Sequence, residues 1–154
     1  MITVQEVKAI VERHLMDTGH FLVDVVVRPG DKVVVEVDDP RSIRLEQLAA
    51  LNKAIRADLD AGGHDVELQV GSPGMGRPFK VPEQYVKHTG RLVQVEMADG
   101  RKLEGLLEKV APEGLVLRIQ HPSKVKGRPA KLDPEPTLLA HTDIRETKAS
   151  IKFN

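Results

Sequence analysis

An eight-residue stretch near the midpoint of the chain, GSPGMGRP at positions 71–78, constrains the fold more than any other part of the sequence. It holds three glycines and two prolines, so neither a helix nor a continuous strand is expected to pass through it. Helical and strand-like periodicities precede it, and mainly short strand-like runs follow it. We therefore predict two domains, at residues 1–71 and 83–154, joined by a turn or linker at 72–82.

The net charge reverses at the same stretch. Residues 1–71 carry 8 Lys and Arg against 13 Asp and Glu, a net charge of −5, whereas residues 72–154 carry 15 against 10, a net charge of +5. An anionic partner is therefore expected for the second half. The sequence has no cysteine, which excludes disulfides and thiolate metal sites. No apolar run approaches the ~20 residues of a membrane helix, so we expect a cytoplasmic protein with no membrane partner.

The first domain has the pattern of a small α/β unit with the element order α-β-β-α-β. Two helical stripes of apolar residues alternate with three strand-like runs, and the first two runs flank a Pro-Gly-Asp turn typical of a β-hairpin. Thr3 and Ser42 are the expected N-caps of the two helices. Two amphipathic helices covering one face of a three-stranded sheet would bury both stripes. The stripes are Val4, Val7, Val11 and Leu15, and Leu48, Leu51, Ile55 and Leu59; the strand-like runs are 21–27, 33–37 and 66–70.

The second domain is predicted to be all-β apart from a short helical turn near 84–88. Asp99-Gly100, between its first two strand-like runs, is a strong hairpin signal. A small β-barrel would remove the exposed sheet edges, so we expect an α+β protein that ends in such a barrel. The Pro-rich segment 121–136 is expected to be a long, irregular, exposed loop. The strand-like runs are 91–98, 101–110, 115–120, 137–141 and 144–153.

The central stretch is expected to act mainly as a structural joint. Pro73 and Gly74 suit the second and third positions of a type II turn, where glycine supplies a positive φ. A phosphate-binding role for its backbone amides together with Arg77 and Lys80 stays open as the alternative. The interdomain motif is Ser72, Pro73, Gly74, Arg77 and Pro78.

Catalytic and metal signals are weak by comparison. P-loop and nucleophile-elbow patterns are absent, which leaves Ser72 as the only candidate nucleophile. The six histidines are scattered without the spacing of metal ligands. We therefore predict a protein that is not an enzyme and that uses no metal or cofactor.

The clearest binding signal is basic. No Asp or Glu lies between positions 114 and 132, and the Pro-rich loop in that region can reach a phosphate backbone and release counterions. An ordinary solvated loop is the alternative interpretation. Aromatic residues that could stack on bases are scarce in the second half, so RNA would be contacted by charge and shape. The residues expected to contact anions are Arg77, Lys80, Lys124, Lys126, Arg128 and Lys131.

Residues 68–80, LQVGSPGMGRPFK, resemble the ribosome maturation factor RimP family, which carries an SPG-(L/M)-x-RP motif after the last strand of its first domain. The resemblance extends over most of the chain: the GHFLV run at 19–23 is similar to the entry to the family's first strand, and Ile144 with Lys148-Ala149 is similar to its closing motif. Gly76 departs from the pattern, because many members have an acidic residue there. The loop at 121–136 is longer than the family's shortest versions.

The resemblance implies an α/β first domain followed by an Sm-like barrel. It also implies a non-enzymatic factor that binds the immature small ribosomal subunit and promotes its late maturation, with small-subunit ribosomal protein twelve as a partner of the barrel. We expect a monomer that contacts ribosomal RNA by charge and shape. A second hypothesis is an Sm-like RNA-binding regulator that acts on free RNA and forms a ring. An enzyme that uses the central stretch on a phosphorylated substrate is the third.

Overall fold

The computed structural model describes residues 2–74, 76–121, 127 and 130–150, and the chain divides into two compact units, Met1–Pro73 and Gly74–Asn154. The first unit has the predicted element order α-β-β-α-β. Its elements are α1 (Val4–Leu15), β1 (Phe21–Arg28), β2 (Lys32–Asp38), α2 (Leu45–Ala61) and β3 (Glu67–Gly71).

The sheet of the first unit has the strand order β1-β2-β3, with β1 antiparallel to β2 and β2 parallel to β3. A parallel pair requires a crossover connection, and α2 provides it. Val33 and Val35 of the central strand are fully buried, in one apolar cluster with Val11 of α1 and Ile55 of α2. The two predicted stripes therefore meet in the core of this unit, with Val4 half-buried at its margin.

One of the two predicted helix caps is wrong. Thr3 Oγ1 accepts a hydrogen bond from the Glu6 N–H at 3.2 Å, as expected for α1. Ser42 does not cap α2, because the helix begins only at Leu45 and Ser42 has a φ of 129°. The Arg44 N–H instead donates to Gln47 Oε1 at 2.8 Å, so a side chain of the first turn satisfies this end of the helix.

The second unit carries one short helix and a six-stranded sheet, which makes the protein α+β as predicted. The sheet has the order β7-β6-β5-β4-β9, and β8 pairs with β6 beside β7. Its core contains the fully buried side chains of Val93, Val95, Leu107, Leu115 and Leu117. The elements are α3 (Pro82–Lys87), β4 (Leu92–Met97), β5 (Lys102–Val110), β6 (Gly114–His121), β7 (Lys131–Leu132), β8 (Thr137–Ala140) and β9 (Ile144–Ala149).

The predicted barrel is not closed, since no described residue of β8 pairs with β9. The sheet is nevertheless strongly curled. In a flat sheet, four strand spacings would separate β8 from β9 by about 19 Å. Ala140 and Ile144, which end and begin these strands, are joined by a single 3₁₀ turn at His141–Asp143. Four extended residues reach only about 14 Å, so the two edges must approach each other without forming a ladder.

The turn between β4 and β5 forms where Asp99-Gly100 predicted it. Gly100 has a φ of 93°, in the left-handed region that favours glycine. Asp99 Oδ1 accepts the Arg101 N–H at 3.0 Å, and this hydrogen bond is the main reason why the pKa of the Asp99 carboxyl lies below its ordinary value. The stabilisation from this carboxylate is therefore fully present above the ordinary pKa of the group and is lost as the pH falls through the lowered pKa.

The segment 121–136 is not irregular throughout, which corrects the prediction of a structureless loop. β6 continues to His121, and Lys131–Leu132 form β7 opposite His121 and Gln120. The four prolines of the segment leave residues 130–133 without a proline, so backbone N–H groups are available there for pairing.

Thr147 of β9 provides a test of how this core is packed. It pairs with Val95 and is fully buried, and its hydroxyl hydrogen-bonds to none of the described residues. A buried hydroxyl without a partner loses its hydration without compensation. We expect Thr147→Val, which keeps the shape of the side chain, to stabilise the second unit by about 1 kcal/mol.

The measurement is urea unfolding followed by tyrosine fluorescence. Tyr85 is the only tyrosine of a chain that lacks tryptophan, so the signal reports on the second unit alone. Thr137→Val, at an exposed position of β8, is the matched control and should change stability by less than about 0.5 kcal/mol. An unfolding midpoint for Thr147→Val at or below that of the wild type would contradict the expectation.

Candidate functional site

The basic segment that the sequence singled out emerges from the end of β6. Lys124, Lys126 and Arg128 lie outside the residues that the structure describes. Lys131 is described, and it lies exposed in β7, directly opposite His121. The segment is thus anchored at both ends in one antiparallel strand pair, rather than in an open loop.

The residues that directly follow β7 are bound to β6 by a group of polar contacts. Arg118 Nη1 donates to the carbonyl oxygens of Asp133 and Pro134 at 3.0 and 2.6 Å. The Asp133 N–H donates to the Ile119 carbonyl at 2.8 Å, and Asp133 Oδ1 lies 2.7 Å from His121 Nε2. This arrangement was not predicted, because in the sequence an arginine of an alternating strand looks like any other outward-facing residue.

The type II turn predicted at Pro73-Gly74 is not formed. Gly74 does not have the positive φ that this turn requires, whereas Gly76 has a φ of 75°. Ser72, Arg77 and Lys80 are exposed. The boundary between the two units falls between Pro73 and Gly74.

The residues after Gly76 join the second unit by pairing with β9. Pro78 forms an isolated bridge with Lys148, and the Phe79 N–H donates to the Thr147 carbonyl at 2.7 Å. These two contacts place residues 77–80 next to β9, on the side away from β4. At the other end of the strand order, β7 lies next to β6, on the side away from β5. The structure therefore places Arg77 and Lys80 on one edge of the sheet and Lys131 on the other.

A second charged surface lies on the first unit, on the sheet face opposite its helices. Asp24 of β1 and Glu36 of β2 are half-buried and directly opposite each other across the two strands. Side chains alternate along a strand, so Asp38 and the exposed Glu67 share this face. Arg28 and Lys32 lie on the same face, paired with each other across the two strands, so this face carries both signs of charge with an acidic majority.

The described residues also bear on metal binding and on membrane-spanning helices. Within the ranges 2–74, 76–121 and 130–150, no cluster of three or more His, Asp or Glu side chains could hold a metal ion. Among the helices built from described residues, none combines the length and the apolar character needed to cross a membrane. The candidate sites among the described residues are charged surfaces on two units of an α+β fold.

Sequence comparison identifies the family. The chain is similar to the ribosome maturation factor RimP of Porphyromonas gingivalis, with 30% identity over 147 residues that cover 95% of this chain and 97% of that protein. The RimP protein of Pelodictyon phaeoclathratiforme is 32% identical over 107 residues, which cover 60% of this chain and 62% of that protein. The RimP protein of Prosthecochloris aestuarii is 38% identical over 89 residues, which cover 51% of this chain and 50% of that protein. No family model matches the sequence. The chain belongs to the ribosome maturation factor RimP family.

Proposed function

We propose that this protein is a ribosome assembly factor that binds the immature small ribosomal subunit and promotes its late maturation without covalent catalysis. The observation that carries the proposal is the match over nearly the whole of both chains to a protein named ribosome maturation factor RimP. The small subunit is the partner that the SPG-x-x-RP resemblance implies. The protein would act in the cytoplasm, as a monomer and without a cofactor.

Charge and shape, rather than base stacking, are the expected means of contact with ribosomal RNA. Phe79 packs edge-on against Tyr85 with ring centroids 5.0 Å apart, and its centroid lies 4.6 Å from that of His88. Phe79 and Tyr85 pack against the core of the second unit, so these rings support the fold there. The phosphate contacts fall to Arg77, Lys80, Lys124, Lys126, Arg128 and Lys131, for which counterion release supplies the driving force.

Protein contacts would complement the RNA contacts. Small-subunit ribosomal protein twelve is the partner that the family resemblance implies for the second unit. The acidic sheet face of the first unit is suited to a basic protein segment, because opposite surface charges speed association and exclude wrong partners. Holding protein and RNA elements in register would reduce misordered assembly.

The experiment that tests the proposal is co-sedimentation with purified immature and mature small subunits over a series of salt concentrations. We expect the affinity for the immature subunit to be about tenfold higher, a difference of about 1.4 kcal/mol, and the logarithm of the binding constant to fall linearly with the logarithm of the salt concentration. Equal binding to both subunits, or no binding at low salt, would refute the proposed function.

A regulator that acts on free RNA is the second candidate, favoured by the curled sheet of the second unit. It would bind free single-stranded RNA as tightly as subunits and would assemble into a ring. Light scattering distinguishes the two, because the assembly factor should give the mass of one 17.0 kDa chain. A ring mass together with tight binding of free RNA would favour the regulator.

An enzymatic role for the central motif is tested by Ser72→Ala. We expect this variant to keep subunit binding and maturation activity within about twofold of the wild type, because the serine is exposed in a structural joint. The measurement is the rate at which immature subunits are converted in its presence. Loss of that activity with subunit binding retained would point instead to a nucleophile.

A further inference from the structure

Arg118 joins the strand that leads into the basic segment, β6, to the residues that follow the segment. It is in the middle of β6, its side chain is only 25% exposed, and its Nε donates to Glu108 Oε1 at 2.5 Å. With the bonds from Nη1 to the two carbonyls of the return segment, three N–H groups of the guanidinium are engaged. An arginine held in this way is anchored to its own protein, and its charge is countered by the adjacent carboxylate.

Glu108 lies beside Arg118 at a point where the ladder between β5 and β6 is irregular. Leu107 pairs with Leu117 and Lys109 pairs with Val116, which leaves Glu108 as the extra residue of a β-bulge. Arg118 pairs with Leu106, two residues before Glu108, so the two charged side chains share one face of the sheet as diagonal neighbours. They form an ion pair next to the bulge.

Asp133 is the residue that Arg118 and its neighbours in β6 hold in place. Its backbone N–H, its carbonyl oxygen and its side chain all contact β6, at Ile119, Arg118 and His121 respectively. Asp133 immediately follows β7, which has only two residues and would be a marginal strand without further support. The contacts to Asp133 therefore fix the position of β7 and of the exposed Lys131 within it.

We propose that Arg118 is a positioning residue for anion binding: it does not touch the ligand but holds β7 so that Lys131 is presented to a phosphate backbone. The proposal rests on the proposed function, because it assumes that Lys131 contacts RNA. A short strand that is fixed before binding does not have to be ordered during binding, and this saves conformational entropy. Arg118 thus raises the affinity without adding a phosphate contact of its own.

The test uses the full-length protein, a labelled single-stranded RNA oligonucleotide and purified immature subunits, with affinities measured at several salt concentrations. Arg118→Lys keeps the charge but cannot reproduce the forked geometry of the guanidinium. We expect it to weaken binding about tenfold at every salt concentration and to leave the salt slope unchanged. Lys131→Gln removes a contact, so it should reduce the slope by about 0.7 for single-stranded RNA.

Two further measurements separate positioning from a purely structural role. Amide hydrogen exchange at Asp133, whose N–H donates to the Ile119 carbonyl, should be about tenfold faster in Arg118→Lys, since this bond to β6 is weakened. Lys131→Gln should also have a smaller effect in the Arg118→Lys background than in the wild type, which is the coupling that positioning requires. The matched control is Arg145→Lys, at an exposed arginine of β9 that donates to the Ala98 carbonyl at 3.2 Å, and it should change the affinity by less than about twofold.

Several results would overturn the proposal. Faster exchange with unchanged affinity would make Arg118 only structural, and a reduced salt slope in Arg118→Lys would make it a direct contact. Unchanged exchange would show that Arg118 does not hold β7. Equal affinity of the wild type for mature and immature subunits would refute the proposed function but not the role of Arg118, because that role is tested separately by binding to the RNA oligonucleotide. No binding of the wild type to RNA or to subunits would refute both.

Discussion

Gly114→Ala is expected to destabilise the second unit by about 3 kcal/mol or more, the largest stability effect that we predict for a single methyl group. A Cβ built on Gly114 would lie 2.0 Å from the Leu139 carbonyl oxygen and 2.8 Å from its carbonyl carbon. Both atoms belong to the backbone of β8, so the pairing of β6 with β8 must separate to admit the methyl group. Gly114 has no positive φ, so this glycine is required for close backbone approach.

The expected result is a fall of about 12 °C or more in the melting temperature of the second unit, as reported by Tyr85 fluorescence. Far-UV circular dichroism should still show the helices of the first unit, which separates local damage from general unfolding. Gly74→Ala is the control in the same unit, because a Cβ there meets only the Arg77 side chain, at an ordinary contact distance of 3.5 Å, and the residue has no positive φ. The control should stay within about 0.5 kcal/mol of the wild type. A Gly114→Ala protein as stable as the control would contradict the close contact.

Neutralising the basic segment is expected to have the largest effect on binding. We predict that changing its four cations together to glutamine weakens binding to immature small subunits about 100-fold at moderate salt and makes the salt slope shallower by about 3. Each lost cation leaves one phosphate with its condensed counterions, so both the affinity and its salt dependence fall. The substituted residues are Lys124, Lys126, Arg128 and Lys131.

A control of equal charge distinguishes local contact from net charge. The same number of exposed cations is replaced in the first unit, and this variant should lose less than about threefold in affinity, because charges far from the ligand are screened within about 10 Å. Equal losses in the two variants would show that only net charge matters, and would contradict a specific role for the segment. The control substitutions are Lys8→Gln, Arg13→Gln, Arg41→Gln and Lys53→Gln, which lie off the acidic sheet face.

Much of the fold could be read from residue patterns. The helical stripe of Val7, Val11 and Leu15 and the alternation of β2 predicted buried faces that the structure confirms. Asp99-Gly100 predicted its turn, because few dipeptides adopt the required backbone angles readily. The failures came where local chemistry was ambiguous: Ser42 has a capping side chain but does not precede the helix directly, and Gly74 occurs in a turn sequence without adopting the turn.

The candidate site was predicted less completely. Composition identified the acid-free basic stretch, and the position of Lys131 agrees with an exposed cation there. The sequence pattern could not show that Lys131 belongs to a strand, because a strand of two residues is too short to have a detectable periodicity. Arg118 and Glu108 were also not predictable as partners, because the register between β5 and β6 decides which of their residues lie side by side.

The sequence by itself determined most of the helices and strands, where the charge reverses and, through the SPG-x-x-RP motif and its flanking residues, which family the chain resembles. These are local or additive properties, so they can be read without knowing which residues meet. Only the tertiary structure decided that β3 lies parallel to β2, that the second sheet is curled without closing, and that Arg118 secures the base of the basic segment. Each of these depends on pairing between distant residues, where register and backbone approach, rather than residue type, select the outcome.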